Sequence, residues 1–272
     1  MLQETTIAFI GGGNMAAAMI QGLLTAGCSP ARIRVSEPDP QRRDTLTHRF
    51  PIATMAENQE VVPGAQALVI AVKPGKVAHV LQEIAPLLTP EMLLLSIAAG
   101  VSLAQLQQAL PAHQPLVRVM PNTPALIGAG IAALLPATTL SQEQRRLAMA
   151  IMAVTGEVVE VEEEGWMDGI TALSGSGPAY LFLMAEALSD GGVACGLPRA
   201  LADRLAVKTL IGSARLIDET GLHPAVLKNQ VTSPGGTTIA GLIQLETAGV
   251  RGSLIAAVQA AWARSKALSA GQ

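Results

Sequence analysis

Residues 5–16 read TTIAFIGGGNMA, a run of strand-type residues that leads into three glycines. The helical pattern that follows places these glycines between a strand and a helix, in the spacing G-x-G-x-x-A of dinucleotide-binding turns. Gly11 would make the tight turn, and Gly13 would let the backbone approach a pyrophosphate. Ala16 would permit close packing of the helix on the strand. The residues expected to bind a dinucleotide cofactor here are Gly11, Gly12, Gly13, Asn14, Met15 and Ala16.

The end of the second predicted strand, Ile33–Ser36, gives conflicting signals about which dinucleotide binds. In a βαβ unit, this strand end faces the adenosine ribose. Glu37 stands where a carboxylate would accept a hydrogen bond from the ribose 2′-hydroxyl, which favours NAD. Ser36, Arg42 and Arg43 stand where a 2′-phosphate could be held, which favours NADP, but both arginines could equally be solvated on a helix face.

Strands and helices alternate as far as residue 161, which predicts a doubly wound α/β sheet of about eight strands. The further strands are expected at residues 65–72, 92–96, 116–120, 131–135 and 157–161. Ligands of such sheets bind beyond the carboxyl ends of the strands. The loops that fall there, besides the glycine turn, predict a cofactor site that includes Val72, Lys73, Pro74, Ala98, Ala99, Met120 and Asn122.

The pattern changes after the acidic run that ends at Glu164, and no further strand is expected. We therefore predict a Rossmann-type dinucleotide-binding domain over residues 1–162 and an all-helical domain over residues 163–272. Ser176, or the glycine after it, is expected to cap the first helix of the second domain. The helix expected over residues 198–220 is apolar around nearly its whole circumference. A small helical layer cannot bury such a helix, so we expect it to pack against another subunit.

A second glycine-rich turn opens a helix late in the chain, at residues 231–246, VTSPGGTTIAGLIQLE. The Ser-Pro-Gly-Gly turn would let backbone N–H groups approach a ligand closely. Thr237 and Thr238 then begin an amphipathic run that stops before Gly249, which is typical of the position after a helix. Free N–H groups and hydroxyls at a helix N-terminus bind small anions such as a carboxylate. The alternative is a capped helix after an ordinary surface turn.

Composition argues against several classes of function. Aromatic residues make up 2% of the chain and the net charge is −3, so we expect no nucleic-acid partner. Cys28 and Cys195 form no paired motif and are interpreted as buried thiols in a reducing compartment. The four histidines show no ligand spacing, so no metal site is expected. Without a visible signal peptide or a membrane-length apolar run, we expect a cytoplasmic protein with no membrane partner.

The chain resembles the Δ1-pyrroline-5-carboxylate reductases essentially from end to end. The most specific part of the resemblance is the stretch at residues 224–246, which includes the turn VTSPGGTT (231–238). The blocks that also resemble this family are AVKP (71–74), SIAAG (96–100), MPNTP (120–124) and SGSGPAY (174–180). The resemblance implies NADPH as the reductant, with NADH as the alternative, and a helical domain that joins two subunits into a homodimer or a larger homo-oligomer. It also implies that Asn58 lies near the adenosine ribose, whereas Glu37 replaces a residue that is often small in this family.

On this resemblance, we expect an oxidoreductase of proline biosynthesis that reduces the C=N bond of Δ1-pyrroline-5-carboxylate to L-proline. The substrate carboxylate is expected on the Ser233 hydroxyl and on the N–H groups of Gly235, Gly236 and Thr237. Thr238 is expected to be catalytic, its hydroxyl forming a hydrogen bond with the ring nitrogen. The nicotinamide is expected along the sheet edge, beside the predicted cofactor residues there.

Two alternatives remain open. A β-hydroxyacid dehydrogenase also joins a Rossmann-type domain to a helical one, and Lys208 would be its acid–base residue. The glycine and asparagine companions usual for that lysine are missing here. A dinucleotide-binding protein without turnover is the second alternative, although such a protein needs no carboxylate site.

Overall fold

The computed structural model describes residues 2–137 and 140–269. Within them, one sheet has the strand order β3-β2-β1-β4-β5-β6-β7-β8. Its strands are β1 (Ile7–Ile10), β2 (Ile33–Ser36), β3 (Ala53–Met55), β4 (Ala67–Ile70), β5 (Leu93–Ser96), β6 (Leu116–Met120), β7 (Gly130–Pro136) and β8 (Gly156–Glu160). Neighbouring strands are parallel except β6 and β7, which are antiparallel. The order reverses beside β1, the point at which doubly wound sheets bind ligands.

The helices alternate with the strands and then replace them. They are α1 (Asn14–Thr25), α2 (Pro40–Arg49), α3 (Asn58–Val61), α4 (Val77–Ile84), α5 (Leu103–Gln108), α6 (Gln142–Ala153), α7 (Trp166–Ile170), α8 (Gly177–Ala194), α9 (Arg199–Thr220), α10 (Pro224–Gln230), α11 (Thr237–Thr247) and α12 (Val250–Ser269). The chain divides into two compact units. One comprises the residues up to Ser176 together with those from Ala261 onward, and the other is Gly177–Ala260.

The centre of the sheet is buried on both faces, which explains its continuous apolar strands. All four residues of β1 are inaccessible to solvent. Because side chains alternate along a strand, Ile7 and Phe9 join one core cluster while Ala8 and Ile10 join another. The first cluster includes Ala16 of α1, whose small side chain allows the close helix–strand packing expected of it.

Three local features differ from the sequence-based expectations. Ser176 does not cap a new helix, because Thr171–Gly175 forms a π-helical turn and the Ser176 N–H donates to the Thr171 carbonyl. The short edge strand β3 has no apolar run that would have predicted it. Cys195 is exposed, whereas Cys28 is buried as expected, and burial raises the pKa of the Cys28 thiol.

In residues 2–137 and 140–269, no helix is both long enough and apolar enough to span a lipid bilayer.

The N-terminus of α6 gives a prediction about stability. Ser141 Oγ accepts from the Gln144 N–H at 3.1 Å, and Gln144 Oε1 accepts from the Ser141 N–H at 2.9 Å. Ser141→Ala is expected to lower the free energy of unfolding by about 1 kcal/mol, because one helix N–H loses its partner. Urea unfolding at fixed protein concentration measures this loss. Ser141→Thr, which keeps the hydroxyl, serves as the control, and equal stability of the two variants would contradict the prediction.

Candidate active site

The glycine turn after β1 lies between the ends of two neighbouring strands. The Gly11 N–H donates to the Ser36 carbonyl at the end of β2, at 2.8 Å. Gly11 has φ +100°, and a Cβ there would lie 2.8 Å from the carbonyl oxygen of Ala71, just beyond β4. Both the backbone conformation and the space therefore require glycine at this position.

The N-terminus of α1 is built to receive an anion. Gly13 precedes the helix in an extended conformation, with no side chain to cap the first-turn N–H groups. A Cβ at Gly13 would meet nothing within 4 Å, so the space above this residue is open. Within the described part of the chain, the N–H groups of Asn14, Met15 and Ala16 have no acceptor. Free N–H groups and the helix dipole suit the diphosphate of a dinucleotide.

A cavity of about 570 Å³ opens beside this turn, a volume in the range of small-molecule and cofactor sites. The predicted cofactor residues that line it are Gly11, Gly12, Gly13, Glu37, Asn58, Val72 and Lys73. Asn14 lines a smaller neighbouring cavity of about 310 Å³. The sequence reasoning missed four charged or titratable side chains in the wall of the larger cavity, namely Glu57, Lys76, His79 and Glu83.

Glu37 is held rigidly at the base of this cavity. Its side chain is buried, with the residue only 6% exposed. Glu37 Oε2 accepts from the Gly12 N–H at 3.0 Å, and Oε1 accepts from the Asp39 N–H at 3.1 Å. These two bonds fix a negative charge next to the glycine turn, where the sequence pattern predicted an acceptor for the ribose.

The two arginines that sequence reasoning could not separate have different environments. Arg43 Nη1 donates to the carbonyls of Glu37 and Pro38, at 2.7 and 2.9 Å. Its guanidinium is therefore already bonded to the backbone. Arg42 lines both cavities, and its guanidinium lies 3.9 Å from Asp39 in an exposed pair that is too long for a strong bond. Arg42 is therefore the arginine available to an anionic ligand.

Asn58 is oriented by partners on both sides. Its Oδ1 accepts from Ser36 Oγ at 2.8 Å, and its Nδ2 donates to Glu83 Oε2 at 2.8 Å. Ser36 itself is fully buried, so its hydroxyl supports Asn58 from beneath the cavity wall. Nothing in the sequence indicated that Glu83 of α4 accepts a hydrogen bond from Asn58, because the two residues are 25 positions apart.

The remaining predicted cofactor residues lie at the carboxyl ends of β4, β5 and β6, outside the lining of the two cavities. Pro74 begins a short 3₁₀ turn after β4. Ala98 is buried and Ala99 is exposed in the loop after β5. Met120 ends β6 and is half-buried, and Asn122 Oδ1 accepts from the Ile131 N–H at 2.9 Å. This hydrogen bond of Asn122 connects the loop after β6 to β7.

The second glycine turn, Ser233–Gly236, belongs to the second compact unit. Gly235 has φ +68°, and the Gly236 N–H donates back to the Ser233 carbonyl at 3.1 Å. A Cβ on Gly236 would require Ser233 Oγ to move, and the positive φ of Gly235 is what makes this turn depend on glycine. Gly236 precedes α11 in an extended conformation without a side-chain cap.

The start of α11 therefore presents unpaired donors, as the sequence predicts. In residues 2–137 and 140–269, the N–H groups of Thr237, Thr238 and Ile239 find no acceptor. The hydroxyls of Ser233, Thr237 and Thr238 likewise make no hydrogen bond there. Thr238 is half-buried, whereas Ser233 and Thr237 are exposed. Such a terminus can bind a carboxylate.

No group of three or more His, Cys, Asp or Glu side chains that could hold a metal occurs among the residues that the structure describes. Lys208, the acid–base candidate of the dehydrogenase alternative, is exposed on α9.

Comparisons with known proteins find similarity along nearly the whole chain. Residues 164–268 match the family model for pyrroline-5-carboxylate reductase dimerisation, and residues 6–100 match the model for coenzyme F420-dependent NADP oxidoreductases. The pyrroline-5-carboxylate reductase of Synechocystis sp. is 46% identical over 263 residues, which cover 96% of this chain and 97% of that protein.

Two solved structures show the same fold. The pyrroline-5-carboxylate reductase of Coxiella burnetii has a TM-score of 0.90 and 37% identity, covering 97% of this chain and 98% of that one. The pyrroline carboxylate reductase of Plasmodium falciparum, solved with NADP bound, has a TM-score of 0.90 and 31% identity, covering 99% and 100%. The predicted fold class and family are thereby confirmed. With relatives this similar along nearly its whole length, the chain belongs to the pyrroline-5-carboxylate reductase family.

Proposed function

We propose that this chain reduces the C=N bond of Δ1-pyrroline-5-carboxylate to give L-proline, the last step of proline synthesis, with NADPH as reductant and NADH as the alternative. The observation that carries the proposal is the Ser233–Thr238 turn, with its unpaired N–H groups and hydroxyls at the start of α11. A protein that only sensed a dinucleotide would have no use for such a carboxylate site. Membership of the reductase family supports the same reaction.

The substrate carboxylate is proposed to bind at this turn. The N–H groups of Gly235 and Thr237 and the Ser233 hydroxyl are the proposed donors. The Gly236 N–H, which the sequence also suggested, already donates to the Ser233 carbonyl inside the turn. The dipole of α11 favours a negative charge at its N-terminus, and the 11-residue helix is long enough for this effect. Because the carboxylate is attached to the ring, fixing it also orients the C=N bond of the ring.

Thr238 is the proposed catalytic residue. Its half-buried side chain makes no hydrogen bond within the described residues, so its hydroxyl is free to bond the ring nitrogen. During reduction, the carbon of the C=N bond gains a hydride, and the nitrogen gains a proton that water can supply. The Thr238 hydroxyl would hold the nitrogen in place while its bonding changes, and this stabilises the transition state.

The residues of the first unit fit a dinucleotide. The free N–H groups at the start of α1 would hold its diphosphate, and Arg42, Lys73 and Asn58 would face its adenosine half. Ala98, Ala99 and Met120 would lie beside its nicotinamide half. When bound, NADPH supplies the hydride. The open space above Gly13 and the uncapped α1 terminus support this assignment.

We also propose a homodimer, or a larger assembly of dimers, formed through residues 163–272, with residues 1–162 as the dinucleotide-binding domain. The family model that matches residues 164–268 is named for dimerisation. Large apolar side chains are exposed on α8 and α9, among them Phe182 at 67%. An apolar surface of this kind on a single chain is typical of a subunit interface. Size-exclusion chromatography with light scattering measures the assembly directly.

A cytoplasmic location is proposed on chemical grounds. Cys28 and Cys195 are both free thiols, and free thiols are typical of reducing compartments. Cell fractionation followed by immunoblotting tests this location.

An assay of the purified protein tests the proposed reaction. We expect oxidation of NADPH that depends on Δ1-pyrroline-5-carboxylate and yields one L-proline for each NADPH consumed, with proline measured chromatographically. Short hydroxyacids and oxoacids should give no comparable turnover. Turnover of those acids would instead support the dehydrogenase alternative. Cofactor binding without oxidation by any cyclic imine would support the non-catalytic one.

A further inference from the structure

The loop between β5 and α5, residues 97–102, is anchored at its two ends. At one end, the Ile97 N–H donates to the Ile70 carbonyl at 3.1 Å. At the other, Ser102 caps α5, with Oγ accepting from the Gln105 N–H at 3.2 Å. The N–H groups of the residues between them donate to nothing in the part of the chain that the structure describes. The loop is therefore held by its two ends and by the burial of Ala98 and Val101 in the core, and the first turn of α5 is one of these supports.

A single carboxylate oxygen bonds that turn to the sheet, in addition to the packing of Leu106 in the core. Glu164 Oε1 accepts from the Leu103 N–H at 2.6 Å and from Arg118 Nη1 at 2.8 Å. Arg118 lies on β6 directly beside Ser96, the last residue of β5. The two hydrogen bonds thus tie the start of α5 to the sheet next to the strand from which the loop departs.

The burial of the Arg118 guanidinium argues for a geometric role of this ion pair. The Arg118 side chain is only 5% exposed, and that of Glu164 is 39% exposed. Burying a charged pair costs desolvation energy, and apolar side chains of similar volume often stabilise a fold as well or better. The presence of a charged pair here is better explained by the hydrogen-bond geometry that it fixes. Glu164 makes directional hydrogen bonds with both Arg118 and the Leu103 N–H.

The opposite side of the loop packs against the end of α12. Gly100 has φ +74°, and a Cβ there would lie 3.4 Å from Leu268 Cβ. Asp168 Oδ1 accepts from Ser265 Oγ at 2.7 Å and from Ser269 Oγ at 3.1 Å, which fixes the last turns of α12. Leu268 lies beside Gly100, and Ala98 and Val101 are buried in the core, so the bond between Glu164 and α5 adds a polar support to this apolar packing.

We infer that Arg118 and Glu164 are positioning residues: their ion pair sets the start of α5, and with it the loop carrying Ala98 and Ala99, for the nicotinamide half of the cofactor. This inference rests on the proposed function, which assigns those two alanines to the nicotinamide half. Neither charged residue contacts the cofactor in this role, and the adenosine half, held beside β2, does not depend on the pair.

Titration calorimetry with two ligands tests the inference. NADP⁺ contains the nicotinamide, whereas adenosine 2′,5′-bisphosphate represents the adenosine half alone. Glu164→Ala is expected to raise the Kd of NADP⁺ by about tenfold and to leave the Kd of adenosine 2′,5′-bisphosphate within about twofold. Glu164→Gln should restore most of the affinity, because its amide oxygen can accept both bonds.

A matched control comes from the same acidic run. Glu160 pairs with Arg145 away from this loop, so Glu160→Ala should change neither Kd. Arg118→Lys keeps the buried charge without the planar guanidinium. It should weaken NADP⁺ binding selectively and serves as the second variant if Glu164→Ala does not fold. Kinetics should show a raised KM for NADPH with a smaller change in KM for the imine.

Two results would overturn the inference. Equal losses of affinity for both ligands would make the pair a general structural support. Unchanged affinities in Glu164→Ala and Arg118→Lys would show that the pair does not set the loop. The two Kd values are measured by binding alone and do not require turnover. If the wild-type protein showed no reductase activity, the proposed function would be refuted. The Kd values would still decide whether the ion pair positions the loop.

Discussion

Thr238→Ala is expected to lower kcat/KM for Δ1-pyrroline-5-carboxylate by about ten- to a hundredfold. The hydroxyl would bond a ring nitrogen whose charge changes during reduction, and losing a hydrogen bond to a charged group costs roughly 1.5–3 kcal/mol. The effect should fall mainly on kcat, because the carboxylate donors of the turn remain. Steady-state kinetics with saturating NADPH measures it.

The controls for this variant separate chemistry from folding. Thr238 is in the first turn of α11, where Ala is a better helix former than Thr, so the Tm should not fall. Thr238→Ser should recover most of the activity because it keeps the hydroxyl. Thr247→Ala, at the far end of the same helix, should behave as wild type. Wild-type kinetics in Thr238→Ala would remove Thr238 from the mechanism.

Glu37→Ser is expected to raise the ratio of kcat/KM with NADPH to kcat/KM with NADH by about ten- to a hundredfold. The buried Glu37 carboxylate accepts from the Gly12 and Asp39 N–H groups, so it cannot easily turn away from a bound ribose. A 2′-phosphate beside it meets a like charge, whereas a 2′-hydroxyl gains an acceptor. At a separation of about 5 Å and an effective dielectric constant of 20, each pair of unit charges repels by roughly 3 kcal/mol.

The measurement is a paired assay of each variant with both reduced cofactors. Glu60→Gln removes a carboxylate from α3 outside the cavity lining and should leave the cofactor ratio unchanged. Arg42→Met should act in the opposite direction to Glu37→Ser, since Arg42 is the arginine free to meet the phosphate. A cofactor ratio that stays constant in Glu37→Ser would place the 2′ position of the ribose away from this carboxylate.

Local patterns predicted most of the fold. The continuous apolar run of β1 and the glycines that follow it are features of a few neighbouring residues, and Gly11 has the positive φ that its place in the motif requires. The same holds for the Gly235 turn before α11. One strand was missed and one local prediction was wrong, both for local reasons. β3 has only three residues at a sheet edge, and the π-helical turn at Thr171–Gly175 continues helical backbone through an expected cap.

The candidate site was predictable only in part. Glycine turns and the residues at strand ends could be named, because the topology of a doubly wound sheet gathers strand ends at one edge. Glu83 and Lys76 also line the cavity, yet Glu83 comes from α4 and Lys76 from the 3₁₀ turn before it, where no sequence pattern marks a binding residue. The sequence also could not show which of Arg42 and Arg43 is available to a ligand. That depends on which backbone carbonyls each guanidinium can reach.

The sequence by itself therefore determined the doubly wound sheet and the two glycine turns, since both rest on short-range periodicity or on backbone freedom that only glycine has. It indicated the family through the resemblance of its motif blocks. Only the tertiary structure decided the partners of the charged side chains. Arg118 and Glu164 are 46 positions apart, and Glu164 and Leu103 are 61 apart. Such pairs are selected by the order in which strands and helices pack, and that order brings together residues whose separation along the chain carries no signal of contact.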